Sequence, residues 1–113
     1  MNGRGAPAEA VAAAFLERKG LEIMVRNYRC RLGEIDLIAR DGATTVFIEV
    51  RQRTSSAFGG AAASITAAKK QRLLKAARHY LSRLRVMPAC RFDALLIDGN
   101  PPNIDWVRNA FGE

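Results

Sequence analysis

Two alternating runs, Glu34 to Arg40 and Thr44 to Gln52, stand on either side of Asp41-Gly42. No other feature constrains the fold of this chain as tightly. Successive side chains of a strand point to opposite faces, and Asp-Gly between two such runs is a strong hairpin signal. Glu34, Asp36 and Ile38 are therefore expected on one face of the first strand. Thr45, Phe47, Glu49 and Arg51 are expected on one face of the second. A two-residue turn at Asp41-Gly42 sets Glu34 opposite Glu49, with Asp36 on the diagonal. A four-residue loop over 41–44 sets Asp36 directly across from Glu49. Either register gathers the acids on one face, whereas a three-residue loop needs a bulge and weakens the convergence.

The flanking segments supply the remaining layers. Pro7 fits the first turn of a helix, where its missing N–H does no harm, and Ala8 to Lys19 is rich in helix formers up to the stop at Gly20. Ala8, Val11, Ala12, Phe15 and Leu16 form its apolar stripe, and Glu9 lies at the edge of that stripe. Ile23 to Arg26 is expected as a strand before the hairpin. Residues 54–64 are small and polar and are expected as a mobile loop. Thr66 is a plausible N-cap for a second helix, whose expected buried face is Leu73, Ala76, Ala77, Tyr80, Leu81 and Leu84. Pro88 ends that region. Arg91 to Ile97 is expected as a strand, 98–102 as a turn, Ile104 to Val107 as a short edge strand and 109–113 as a tail. Helix, three strands, helix and one or two strands make an α/β domain: a mixed central sheet of four to five strands flanked by helices. At 113 residues the chain has room for one domain, with residues 1–6 a loose start.

Charge is distributed unevenly. Between Glu49 and Asp93 there is no acid, yet that interval holds ten of the eighteen Lys and Arg residues. Residues 1–49 hold seven acids and seven bases, so the net charge of +7 comes from the middle of the chain. Such an excess favours an anionic partner, most simply nucleic acid. Lys69, Lys70, Arg72 and Lys75 of the second helix, with Arg51 and Arg53, are the expected phosphate contacts, and Phe58 is the expected base contact. A solvated helix face remains the plain alternative. No apolar run is long enough to span a bilayer and no signal peptide is visible, so a cytoplasmic protein with no membrane role is expected. Cys30 and Cys90 lack metal or redox spacing, and the single histidine, His79, rules out a His-rich zinc site.

Clustered carboxylates repel one another, and a divalent cation relieves the repulsion. Mg²⁺ accepts one or two carboxylates plus waters and phosphate oxygens. Asp36 and Glu49 are the candidate pair, the carbonyl of Val50 a neutral ligand, and Glu9 a more distant supporter acting through water. A metal held there would activate water and polarise a phosphoryl group, as phosphodiester hydrolysis requires. Glu34 is equally a ligand or a solvent-facing partner of arginine.

Gly33-Glu34-Ile35-Asp36-Leu37-Ile38-Ala39 followed by Val46-Phe47-Ile48-Glu49-Val50-Arg51 resembles the YraN-like family of predicted endonucleases, relatives of archaeal Holliday junction resolvases. The likeness extends to Glu9, Arg26-Asn27-Tyr28-Arg29, Phe58-Gly59, Ile65 with Lys69, Tyr80-Leu81 and Arg91-Phe92-Asp93. It implies a restriction-endonuclease-like fold and an Mg²⁺- or Mn²⁺-dependent endonuclease acting on DNA, branched or junction DNA included, with a homodimer as the expected assembly. Asp36 and Glu49 fall on the acidic positions of the PD-(D/E)xK motif, and Glu9 on a helix-borne acid. Arg51 falls on the lysine position. Arginine keeps its proton at any accessible pH, so Arg51 can hold a phosphate but cannot be a general base. That departure leaves open a second class of function, a nucleic-acid-binding module of the same fold with little or no hydrolysis. An RNA- or ribosome-associated factor is a third.

Overall fold

A computed structural model describes residues 5–53, 66–99 and 101–111. The elements are α1 (Gly5–Arg18), β1 (Glu22–Cys30), β2 (Gly33–Asp41), β3 (Thr44–Arg53), α2 (Ala67–Leu81), β4 (Ala89–Asp98) and β5 (Asn103–Phe111). The five strands form one sheet in the order β1-β2-β3-β4-β5. Neighbours are antiparallel except β3 and β4, which are parallel. A parallel pair needs a crossover, and α2 lies within it. The expected α/β class with a mixed sheet and flanking helices is what the chain adopts, and the arrangement is compatible with a restriction-endonuclease-like fold.

The sheet separates two apolar clusters. On one face Ala8, Ala12 and Leu16 of α1 pack with Leu37, Ala39, Val46, Ile48, Leu95 and Ile97, while Val11, Phe15 and Trp106 close the margin. On the other, Leu73, Leu74, Ala76 and Ala77 of α2 pack with Tyr28, Ile35, Ile38, Phe47 and Phe92. Each fully buried Leu, Ile or Phe contributes roughly 1.5–3 kcal/mol, so both helices are held by their apolar stripes. Thr66 caps α2 by accepting from the Lys69 amide, as its residue type implies. Leu84 departs from expectation: α2 stops at Leu81, and Leu84 beyond it is 38% exposed.

The hairpin turns one residue later than Asp41-Gly42. Asp41 pairs with Thr44, leaving Gly42 and Ala43 at the tip. Gly42 has φ 61°, and glycine in the first central position suits a tight hairpin turn. The resulting register runs through Arg40↔Thr45 to Leu37↔Ile48, the one that brings Asp36 level with Glu49.

Three sequence expectations are corrected. β1 runs to Cys30 rather than stopping at Arg26, because β2 continues to pair with it through Tyr28↔Ile35 and Cys30↔Gly33. β5 runs to Phe111, so much of the expected tail is strand; its Asn109 amide is taken by Asp93 where the backbone turns through φ 54°. Strict alternation in β2 also fails. Ile35 and Ile38 share the α2 face, so Glu34, Asp36 and Ile38 cannot follow one simple parity. Asn27, at φ 55°, lies across from this irregularity, between the Arg26↔Leu37 and Tyr28↔Ile35 pairs. The expected mobile loop at 54–64 lies outside the described residues.

Gly33 sets how closely α2 approaches. A Cβ there would lie 2.1 Å from the Arg72 carbonyl oxygen. No side chain fits without moving backbone, and this contact holds the first turns of α2 over the start of β2.

Candidate acidic site at the fork of two strands

β2 and β3 part after the Leu37↔Ile48 pair, and Asp36 occupies the fork. Its Oδ2 accepts a hydrogen bond of 2.7 Å from the Val50 amide, just beyond the last β2–β3 pair. A residue of an extended strand directs its N–H and C=O to the same edge, so the Val50 carbonyl shares the edge that faces the fork. The carboxyls of Asp36 and Glu49 stand close enough for each to shift the other's pKa.

Glu49 is buried, at 7% exposure, and receives two cations. Arg51 Nη1 lies 3.3 Å from its Oε2, and Lys69 Nζ lies 3.5 Å from the same atom. Glu34, Asp36, Glu49, Val50, Arg51, Lys69, Arg72 and Leu73 line a cavity of about 200 Å³. With water occupying ~30 Å³, that volume accommodates a hydrated divalent ion and a phosphate oxygen.

Burial pushes both carboxyls above their ordinary range. Desolvation raises Asp36 most, and the charges of Glu9 and Glu34 add to it against the Val50 amide. For Glu49, desolvation is again foremost; the Asp36 charge reinforces it, Lys69 and Arg51 oppose it, and the result is a pKa of about 7. An acid whose pKa is raised on folding weakens the fold when it ionises. From about 4.5 up to about 7 the unfolded chain has released the proton that the folded chain keeps, so stability falls across that window and stays lower above it. In EDTA, Glu49→Gln is expected to remove much of this slope and to exceed the parent at pH 8 by on the order of 1–3 kcal/mol. Thermal melts at pH 5 and pH 8 measure it; equal pH slopes in the two proteins would contradict it.

The donor set suits a hard cation. Among the described residues no group of three or more His, Cys, Asp or Glu is placed to hold a metal, so a closed transition-metal cage is not built here. Two acids and a backbone oxygen, with room for water, match the Mg²⁺ or Mn²⁺ pattern. Asp36 and Glu49 would hold such an ion with the Val50 carbonyl. Glu9 is buried in α1 and reaches Asp36 through its charge.

The other predicted residues divide. Arg51, Lys69 and Arg72 line the cavity, whereas Lys70 and Lys75 do not; Lys75 is exposed further along α2. Arg53 closes β3 opposite Asp98 in the register, and Phe58 lies outside the described residues. Glu34 faces solvent, 3.7 Å from Arg29. What the residue pattern did not disclose is that Lys69 reaches Glu49. Its place three residues after the Thr66 cap, in the first turn of α2, was the available signal.

A family model described as uncharacterised protein family UPF0102 matches residues 8–97. A UPF0102 protein of Nitrosomonas europaea is 59% identical over 111 residues, covering 97% of this chain and 94% of its own length. One of Nitrosospira multiformis is 56% identical, covering 96% and 92%. One of Methylobacillus flagellatus is 51% identical, covering 98% of each.

Proposed function

This chain belongs to the UPF0102 family, and on that footing we propose that it is a divalent-metal-dependent endonuclease that hydrolyses DNA phosphodiesters, branched or junction DNA among its substrates. The observation that carries the reading is the meeting of Asp36 and Glu49 at the β2–β3 fork, where both line one cavity and Glu49 is buried beside Arg51 and Lys69, with both carboxyls raised above their ordinary range. A buried acid and a half-buried one, both raised by lost solvation, release protons when a cation takes their place. Bound Mg²⁺ or Mn²⁺ would supply Lewis acidity and an activated water. Asp36, Glu49 and the Val50 carbonyl would hold it, and the charge of Glu9 acts on Asp36. Arg51 and Arg72 receive the phosphate, and Lys70 and Lys75 of α2, with Arg53 at the end of β3, carry the flanking backbone.

Lys69 answers the difficulty raised by Arg51. The family motif's lysine position is arginine here, but a lysine ammonium stands 3.5 Å from Glu49 all the same, delivered from α2 instead of β3. In this reading Lys69 orients the attacking water, while Arg51 steadies phosphate charge.

Incubating the purified protein with branched, flapped and linear DNA plus Mn²⁺ tests the reading, and strand cleavage is expected. Lys69→Met is expected to slow it ~10²–10³-fold, the size seen when one donor to a developing charge is removed. Arg51→Lys in that background is expected to restore part of the loss. If the parent binds these DNAs in a salt-dependent way and cuts none of them, the second reading holds, a binding module of the same fold. Arg51 is the residue that favours it.

A further inference from the structure

The β1–β2 hairpin ends in a turn whose residues the core does not explain. Cys30 pairs with Gly33, leaving Arg31 and Leu32 at the tip. Turn tips ordinarily take Gly, Asn, Asp or Ser, yet Leu32 is 50% exposed. Met24, Leu84 and Val86, also exposed, border a different groove at the opposite end of β2. Leu32 instead stands between two concavities, of about 360 and 250 Å³, each lined by Arg31 and Leu32.

The larger groove adjoins the acidic site, because Glu34 and Arg72 line both. Its charged side chains are Arg29, Arg31, Arg72 and Glu34. Glu34 neutralises little, since its pair with Arg29 is long, at 3.7 Å, and exposed on both sides. The close seating of Arg72 on Gly33 keeps the α2 arginine beside the hairpin. The tight turn folds Arg31 back toward Glu34, and both line the groove.

We propose that this hairpin tip is a second DNA contact: Arg29 and Arg31 grip backbone phosphates neighbouring the one that Arg72 receives, and Leu32 presses between base pairs from the minor groove. An apolar side chain flanked by arginines is the chemistry of a minor-groove wedge, which unstacks a step while the cations hold the backbone. A wedge so close to the metal-binding acids favours DNA that is already kinked or branched, where unstacking costs least. The inference rests on the nuclease reading for its substrate.

The test uses the whole protein and a set of DNA duplexes with 2-aminopurine placed at successive positions within a few nucleotides of the cleaved bond, titrated by anisotropy at several salt concentrations. Arg31→Ala is expected to lower the salt slope by about one and to weaken binding ~10-fold. Leu32→Ala is expected to keep the salt slope and to lose the rise in 2-aminopurine fluorescence. Both positions are exposed, and circular dichroism checks that each variant folds. If the parent binds and cuts DNA while both variants match it in slope, affinity and fluorescence, the hairpin assignment is overturned and the nuclease reading stands. If Arg31→Ala weakens binding to structured RNA alone, the DNA assignment is overturned. A parent that binds no DNA removes both.

Discussion

Asp36→Asn is expected to reduce Mn²⁺-dependent cleavage by ~10³-fold or more while changing DNA affinity only a few-fold. The substitution keeps the side chain's shape and an oxygen that can accept from the Val50 amide, so the β2–β3 fork retains the hydrogen bond now 2.7 Å long. What it removes is charge. An amide is a poor ligand for a hard cation, and its NH₂ faces Glu49 where a metal would sit. Lewis-acid stabilisation is worth several kcal/mol, and ~4 kcal/mol corresponds to about three decades in rate. Calorimetric titration of Mn²⁺ into the parent, Asp36→Asn and Glu49→Gln separates metal loss from unfolding: the parent is expected to bind, and each variant at least ~10-fold more weakly. Affinity should also rise with pH up to about 7, where Glu49 gives up its proton, since ion and proton compete for the same oxygens. Undiminished cleavage by Asp36→Asn, or unchanged Mn²⁺ affinity in Glu49→Gln, contradicts the site.

Much of this architecture was legible in the residues because the signals were local. Alternation over 34–40 and 44–52, a cap at Thr66 and apolar stripes in two helices are each decided within a few residues of chain. The hairpin register was narrowed to two forms by Asp41-Gly42, and the later turn at Gly42-Ala43 selected the one in which Asp36 meets Glu49. Three features were hidden for a common reason: they depend on contacts between segments distant in sequence. The break in β2 parity needs Asn27 opposite Asp36. The length of β5 needs Asp93 to receive the amide of Asn109. The approach of Lys69 to Glu49 needs α2 seated on Gly33. Single-strand periodicity carries none of these. The lysine missing from position 51 thus looked like a gap in the site when only β3 was considered, and the fold brings a lysine to the acid pair from another element.

Asp93→Ala is expected to be the most destabilising single change among these, by roughly 3–5 kcal/mol. Asp93 is fully buried and lies in β4, away from the cavity at the fork. Its carboxylate accepts from Arg91 Nε at 3.1 Å, Trp106 Nε1 at 2.9 Å and the Asn109 amide at 2.9 Å. Removing it strands all three donors, including a guanidinium that is only 20% exposed. Arg91 retains Asp41 at 3.1 Å, one acid where it had two. Burial alone would lower the Arg91 pKa, yet hydrogen bonds and charge from Asp93 and Asp41 raise it; loss of Asp93 leaves burial opposed by Asp41 alone. A domain of this size is stable by ~5–15 kcal/mol, and each kcal/mol moves Tm by ~4–8 °C, so thermal melts should show a fall of about 12 °C or more. Asp93→Asn keeps one acceptor and should lose about half as much. Pairing Asp93→Leu with Arg91→Met removes the stranded charge together with its partner, and should leave the protein more stable than Asp93→Ala. A double variant no better than Asp93→Ala would mean that β5, held through Trp106 and Asn109, and not the buried charge, accounts for most of the loss.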